Sequence, residues 1–299
     1  RYRSAVEASA LRQRSLAAAQ RAEALDPDNA YAAIARAVAV PSRGSWLVTE
    51  RVLQRAIKVH PKHDFLLYAL AILRADVGRN RESAAALQAL RRRSEPNPGL
   101  YYTEIMATWS ANRLEEMDRL IEEASQLYPS HIAIWFARFY VQLYSGRAAA
   151  SSAMIEEVTA RPTGLPASEF AALAPVARAM MSRSRSDIDA VLSSWTARAR
   201  VGGGYAVHAV QFASALDRVD EAYTLLHAYY FNRHFIIPDI SYAVEQGIYS
   251  PLQERSTAFL FWPSMASVRR DPRFVSLMRE LGLAAYWRNS GSSPDHLLS

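Results

Sequence analysis

The 299-residue sequence has no cysteine, few glycines and almost no lysine. The absence of cysteine excludes disulfides, thiolate metal ligands and cysteine nucleophiles. Glycine (11) and proline (14) are both sparse, and half of the chain is hydrophobic, so collagen-like or disordered structure is a poor explanation. The sequence therefore predicts a folded protein, too long for one compact core and suited to two domains or a repeat array.

Long apolar runs are also missing. The longest stretch without a formal charge, Val201 to Leu216, contains three glycines and His208. It is shorter than the ~20 apolar residues that a spanning helix needs, so no membrane segment is predicted. The chain opens at Arg1 in a helix-like run with neither an initiator Met nor a signal peptide, which predicts a piece of a longer protein.

Positive charge is almost entirely arginine, because Lys58 and Lys62 are the only lysines among 35 basic residues. The formal net charge is +6, but the arginines alternate with acidic residues, as in "NRLEEMDR" and "RRDPRF". This pattern favours ion pairs along solvated helix faces over a phosphate-binding stripe. Direct nucleic-acid binding by this chain is therefore not predicted.

Five prolines recur at almost constant spacing. Each follows an amphipathic run rich in alanine, leucine and arginine: Pro27, Pro61, Pro96, Pro129 and Pro162. Each proline indicates the end of a helix, since proline cannot continue one. Within a period the pattern predicts two helices, with breaks at Gly78 in the third unit and at Gly146 in the fifth.

This ~34-residue helix-turn-helix period resembles the tetratricopeptide repeat. The third and seventh units, "LYALAILRADVGRNRESAAAL" and "AVHAVQFASALDRVDEAYTLL", carry the resemblance best, whereas "PSRGSW" at residues 41–46 and the sixth unit depart from it. The resemblance implies an all-α fold, an α-solenoid superhelix of helix-turn-helix repeats. It divides the chain into an array of about seven helix pairs over residues 1–230, the first truncated, an irregular insertion over 231–260, and a capping segment over 261–299.

The capping segment contains one short amphipathic helix. Asp271 and Pro272 suit its start, and Gly282 suits its end. Its apolar residues lie at helical spacing, which predicts that they cover the last repeat: Phe274, Leu277, Met278 and Leu281.

The same segment is similar to the C-terminal end of bacterial transcriptional regulators that join a winged helix-turn-helix to a tetratricopeptide array. The matching positions are Pro263, Asp271 to Phe274, Leu281 to Leu283, Tyr286-Trp287, Gly291 and Pro294-Asp295, while Val268-Arg269 stands where the family has leucine with arginine. This resemblance implies a DNA-binding domain upstream of Arg1, so that DNA contact occurs only through that missing domain. It implies a cytoplasmic protein, or alternatively the periplasmic sensor domain of a membrane-anchored regulator.

No constellation of catalytic residues is evident. "VGGGYAVHAV" lacks the spacing of a phosphate-binding loop, and there is no G-x-S-x-G motif. Of the scattered histidines only His60 and His63 are close, and with Asp64 they are better explained as polar turn residues than as a metal site. The sequence therefore predicts a protein without enzymatic activity, metal or cofactor.

The predicted activity is binding, and two aromatic groups mark the expected groove. They lie on the first helices of the third and fifth units: Phe65 and Tyr68, and Phe136, Tyr140 and Tyr144. Such a stripe suits an apolar or aromatic segment of a protein or peptide, or a small ligand, unless it packs against the next repeat. The same positions offer no partner for a carboxylate. Two alternatives stay open, the sensory half of a regulator and a free-standing scaffold; a homodimer is compatible with both.

Overall fold

The computed structural model describes residues 5–39, 43–242 and 247–298. These residues form an all-α structure, in which the only β feature is an isolated antiparallel bridge between Ile240 and Tyr249. The described helices are α1 (Ala5–Leu25), α2 (Ala30–Ala39), α3 (Trp46–Val59), α4 (Asp64–Asp76), α5 (Asn80–Arg91), α6 (Pro98–Ser110), α7 (Leu114–Leu127), α8 (Ile132–Tyr144), α9 (Ala148–Glu156), α10 (Ala167–Ser182), α11 (Arg185–Ala199), α12 (Gly203–Ala215), α13 (Val219–Phe231), α14 (Ala266–Arg270), α15 (Arg273–Leu281) and α16 (Leu283–Ser290).

Helices α2 to α13 form six consecutive hairpins, preceded by α1 alone. Each of the five evenly spaced prolines lies in a link between one hairpin and the next, or between α1 and the first hairpin. The prediction of stacked helix pairs jointed beside these prolines is confirmed. Consecutive helices pack against each other along the array, and α2 also packs on α4, and α6 on α8. A solenoid results because one hairpin cannot bury its own apolar face.

Among the described residues, the turn inside each hairpin contains one residue with a positive φ. These residues recur at nearly constant intervals, with one longer interval before the fifth of them: Gly44, Gly78, Asn112, Gly146, Arg183 and Asp217. A left-handed residue ends a helix and reverses the chain within a few residues, which explains the regularity. Sequence patterns indicated only Gly78 and Gly146, because three of the other four turns use Asn112, Arg183 or Asp217, and a residue other than glycine is a weaker sequence signal for a positive φ.

Arginines that follow these turns bind acidic residues of the preceding hairpin. Arg79 donates to Glu50 at 2.7 Å, Arg147 to Asp118 at 3.0 Å and Arg218 to Asp189 at 2.6 Å. In all three pairs the partners lie 29 residues apart. Alternating charge therefore links neighbouring repeats as well as single helix faces.

The C-terminal segment confirms the predicted amphipathic helix and adds a contact that the sequence did not indicate. Phe274, Leu277 and Leu281 of α15 are buried, the Asp271 carboxylate accepts a hydrogen bond from the Arg273 amide at 2.9 Å, and Gly282 ends the helix with a φ of 88°. Helix α14 packs on α12 and α13 at the end of the array.

Helix α16, by contrast, packs on α3 near the start of the array. The Trp287 indole donates to the Val77 carbonyl at 2.9 Å, and the Asp295 amide donates to the Gly78 carbonyl at 2.9 Å. The expectation of a cap on the last repeat alone was thus too narrow. The segment crosses from the last hairpin to the first two, which brings the two ends of the superhelix together.

Candidate functional site

The predicted aromatic stripe on α8 lies largely in the core. Tyr140 is buried, and its hydroxyl is 2.6 Å from Nε2 of His208 on α12. The Tyr144 hydroxyl is buried too, and Phe136 is half-buried with its ring 5.8 Å from that of His208. The prediction that this stripe faces an open groove was therefore wrong for Tyr140 and Tyr144, because α12 and Trp262 cover it.

Phe65 and Tyr68 have a different environment. Phe65 is 65% exposed, and both residues line a cleft of about 460 Å³ formed mainly by α2, α3 and α4. Among the described residues, the lining consists of Ile34, Ala37, Trp46, Thr49, Leu53, Phe65, Tyr68, Ala69, Ile72, Leu73, Asp76 and Glu254. Its volume falls within the range of ~300–1,000 Å³ that is usual for small-molecule sites.

The walls of this cleft are apolar. Trp46 and Thr49 lie one turn apart on α3, and their polar atoms, Nε1 and Oγ1, are buried without a hydrogen-bond partner among the described residues. Both residues therefore present carbon atoms to the cleft. The Tyr68 hydroxyl lies 3.1 Å from Oγ1 of Thr103 on α6, which holds its ring in place along the wall.

One end of the cleft is acidic. Asp76 is the last residue of α4, and its Oδ1 accepts hydrogen bonds from the Ser256 hydroxyl at 2.6 Å and from the amides of Thr257 and Ala258 at 3.2 and 3.1 Å. Burial raises the pKa of Asp76, and these hydrogen bonds oppose the rise. Glu254, from the segment after α13, forms an ion pair with Arg12 of α1.

The sequence pattern identified Phe65 and Tyr68 as groove residues but did not identify the parts of the cleft that α2, α3 and Glu254 contribute. Ile72 and Asp76 follow Tyr68 at intervals of one helical turn and thus share its helix face. This helical spacing was the signal that the sequence offered for these two residues. Trp46 and Glu254 could not be assigned from the sequence, since only the packing of distant segments brings them to α4.

Neither a search for metal-binding groups nor a comparison with known proteins assigns a function to this cleft. Among residues 5–39, 43–242 and 247–298, no group of three His, Asp or Glu side chains is arranged to hold a metal ion. No helix in the described part of the chain has both the length and the apolar character to cross a bilayer. A comparison with models of known protein families finds no match, and a comparison with curated proteins finds no significant similarity.

Proposed function

We propose that this chain is a non-catalytic binding domain whose ligand site is the cleft between α2, α3 and α4. The observation that supports this function best is Phe65, a large aromatic side chain that is 65% exposed at an otherwise apolar cleft. An exposed aromatic residue beside a concave apolar surface is typical of a ligand site. The ligand is a protein segment or a small molecule.

We further propose that the array is of the tetratricopeptide kind. The left-handed turn residues support this assignment, because all but one of their intervals equal the period of that family. The described helices show hairpins of nearly constant length over α2 to α9, as such repeats require.

The biological role that we propose is ligand sensing for a transcriptional regulator. The C-terminal resemblance supports this role, since Pro263, Phe274, Trp287 and Pro294 match the pattern of winged-helix regulators with such arrays. A free-standing scaffold is the second candidate, favoured by the self-contained closure of the array by α16. The coding sequence upstream of Arg1 distinguishes the two, because a winged-helix domain there supports the regulator and its absence contradicts it.

The binding function is tested with Nile red, an uncharged apolar dye whose fluorescence rises on leaving water. We expect saturable binding of one dye per chain, weakened about tenfold in Phe65→Ala because the dye loses its contact with that ring. Stability should change little, since Phe65 is mostly exposed.

The matched control is Ile236→Ala, which removes a side chain that is 73% exposed and does not line the cleft. It should bind the dye as the unaltered chain does. Non-saturable binding, or equal affinity in Phe65→Ala, would contradict the proposed site.

A further inference from the structure

The α4 face of the cleft changes from apolar to charged along its length. Phe65, Tyr68 and Ile72 lead to Asp76, and all four line the cleft. At ~1.5 Å of rise per residue, Phe65 and Asp76 are separated by about 16 Å along the helix axis. A ligand that follows this face therefore meets a long apolar wall and then a carboxylate.

The Asp76 carboxylate has one oxygen engaged and one available. Oδ1 accepts the three hydrogen bonds from residues 256–258, which lie outside the cleft lining. Oδ2 accepts no hydrogen bond from the described residues. Asp76 as a whole is only 8% exposed, and it lines the cleft.

No cation faces this carboxylate from the described lining of the cleft. Its charged members are Asp76 and Glu254, and Glu254 is paired with Arg12. Arg74, in the last turn of α4, is paired with Glu82 at 3.5 Å and does not line the cleft. Both charged side chains in the described lining of the cleft are therefore acidic.

We infer that the cleft binds an organic cation with an extended apolar body, such as an alkylammonium, whose charged end pairs with Asp76. The inference rests on the proposed binding function and specifies the ligand class. The aromatic rings of Phe65 and Tyr68 suit the apolar body, and the ammonium replaces the missing partner of Oδ2. A carboxylate ligand is disfavoured by the same charges.

The test compares decylammonium, 1-decanol and decanoate as competitors of Nile red at pH 7.5, below their self-association concentrations. We expect decylammonium to bind at least about tenfold more tightly than 1-decanol, and decanoate to bind least, because only the cation gains an ion pair. The net charge of +6 on the chain favours decanoate in any non-specific binding. A preference for the amine therefore cannot come from the net charge of the chain, and a variant of Asp76 tests whether it comes from the cleft.

Asp76→Asn is the decisive variant. Its amide oxygen can still accept the hydrogen bonds of residues 256–258, so the fold should persist, as checked by circular dichroism and the thermal midpoint. We expect it to lose the preference for decylammonium over 1-decanol while the affinity for 1-decanol stays the same. Asp118→Asn, which alters an acid outside the cleft, should keep the preference.

The inference would be overturned by equal affinity for the three compounds, by a preference for decanoate, or by an amine preference that persists in Asp76→Asn. If the compounds bind equally and Phe65→Ala weakens them all, the ligand class is wrong but the binding site stands. If Nile red binds at the cleft but none of the compounds displaces it, the inference also fails. If neither dye nor compounds bind, the proposed function fails as well.

Discussion

His208 illustrates how burial determines the behaviour of single residues in this array. It is 5% exposed, its Nε2 contacts the Tyr140 hydroxyl, and its Nδ1 has no partner among the described residues. Burial lowers the pKa of His208 from 6.5 to about 4, and the positive charge of Arg198 contributes to the same shift. His208 is therefore neutral in the folded chain wherever the pH exceeds about 4.

This environment predicts acid destabilisation. The unfolded chain takes up a proton at His208 near pH 6.5, whereas the folded chain does so only near pH 4. The contribution to stability is complete above pH 6.5 and is lost as the pH falls to about 4, at roughly 1.4 kcal/mol per pH unit and about 3 kcal/mol in all. Urea unfolding at a series of pH values measures it.

His208→Phe is the comparison for that measurement. It should reduce the pH slope of the unfolding free energy between pH 6.5 and 4.5 by up to about 1.4 kcal/mol per pH unit, which corresponds to one proton, because phenylalanine cannot titrate. Its stability at pH 7.5 can differ from that of the unaltered chain without affecting this result. An unchanged slope would show that His208 titrates normally in the folded protein.

At the scale of elements, the turns inside the hairpins are equivalent in backbone but not in surroundings. Gly146 has a φ of 75°, and no atom lies within 4 Å of the position a Cβ would take. Gly78 has a φ of 80°, but a Cβ there would lie 2.8 Å from the Phe261 ring and 2.9 Å from Cβ of Pro294. Of these two turns, only the one at Gly78 is a docking point for the C-terminal segment.

The two glycines form a matched pair of substitutions. Gly146→Ala should lower the free energy of unfolding by roughly 1–2 kcal/mol, since a side chain is strained at positive φ. Gly78→Ala should cost about 1–3 kcal/mol more, because Phe261 and Pro294 must also move. Urea denaturation measures both, and equal losses would mean that the C-terminal segment does not pack tightly on this turn.

At the scale of the whole molecule, the C-terminal segment gives a repeat array long-range order. In an open solenoid each repeat contacts only its neighbours, so distant repeats can unfold separately. Here the Tyr286 hydroxyl donates to Glu50 at 2.8 Å and accepts from Arg79 at 2.8 Å, while α14 contacts α12 and α13. These contacts predict that the stability of the first hairpins is coupled to that of the last.

Deleting residues 283–298 tests this coupling. The deletion removes α16 and the contacts of Trp287 and Asp295 but leaves α14 on the last hairpin. We expect hydrogen exchange in α3 to α5 to accelerate by at least about tenfold, with a smaller effect in α10 to α11. Without α16, local opening of the first hairpins no longer has to break contacts with the C-terminal segment. Uniform acceleration along the array, or none in α3 to α5, would contradict the coupling between the first and last hairpins.

The sequence was sufficient to predict the fold class, the joints between hairpins and the amphipathic helix α15. These features depend on local chemistry: proline ends helices, apolar residues at helical spacing form a buried face, and Gly282 ends α15. Periodicity alone could not separate Phe65, which is exposed, from Tyr140, which is buried, because the two share the same signal.

Only the tertiary structure decided which face of each helix stays open. The superhelix curves until α12 and Trp262 cover the aromatic residues of α8, and α16 reaches the first hairpins. The cleft that stays open combines α4 with Trp46, and with Glu254 from a segment far along the chain. Its shape and its charge depend on contacts between distant residues, which helical periodicity does not encode.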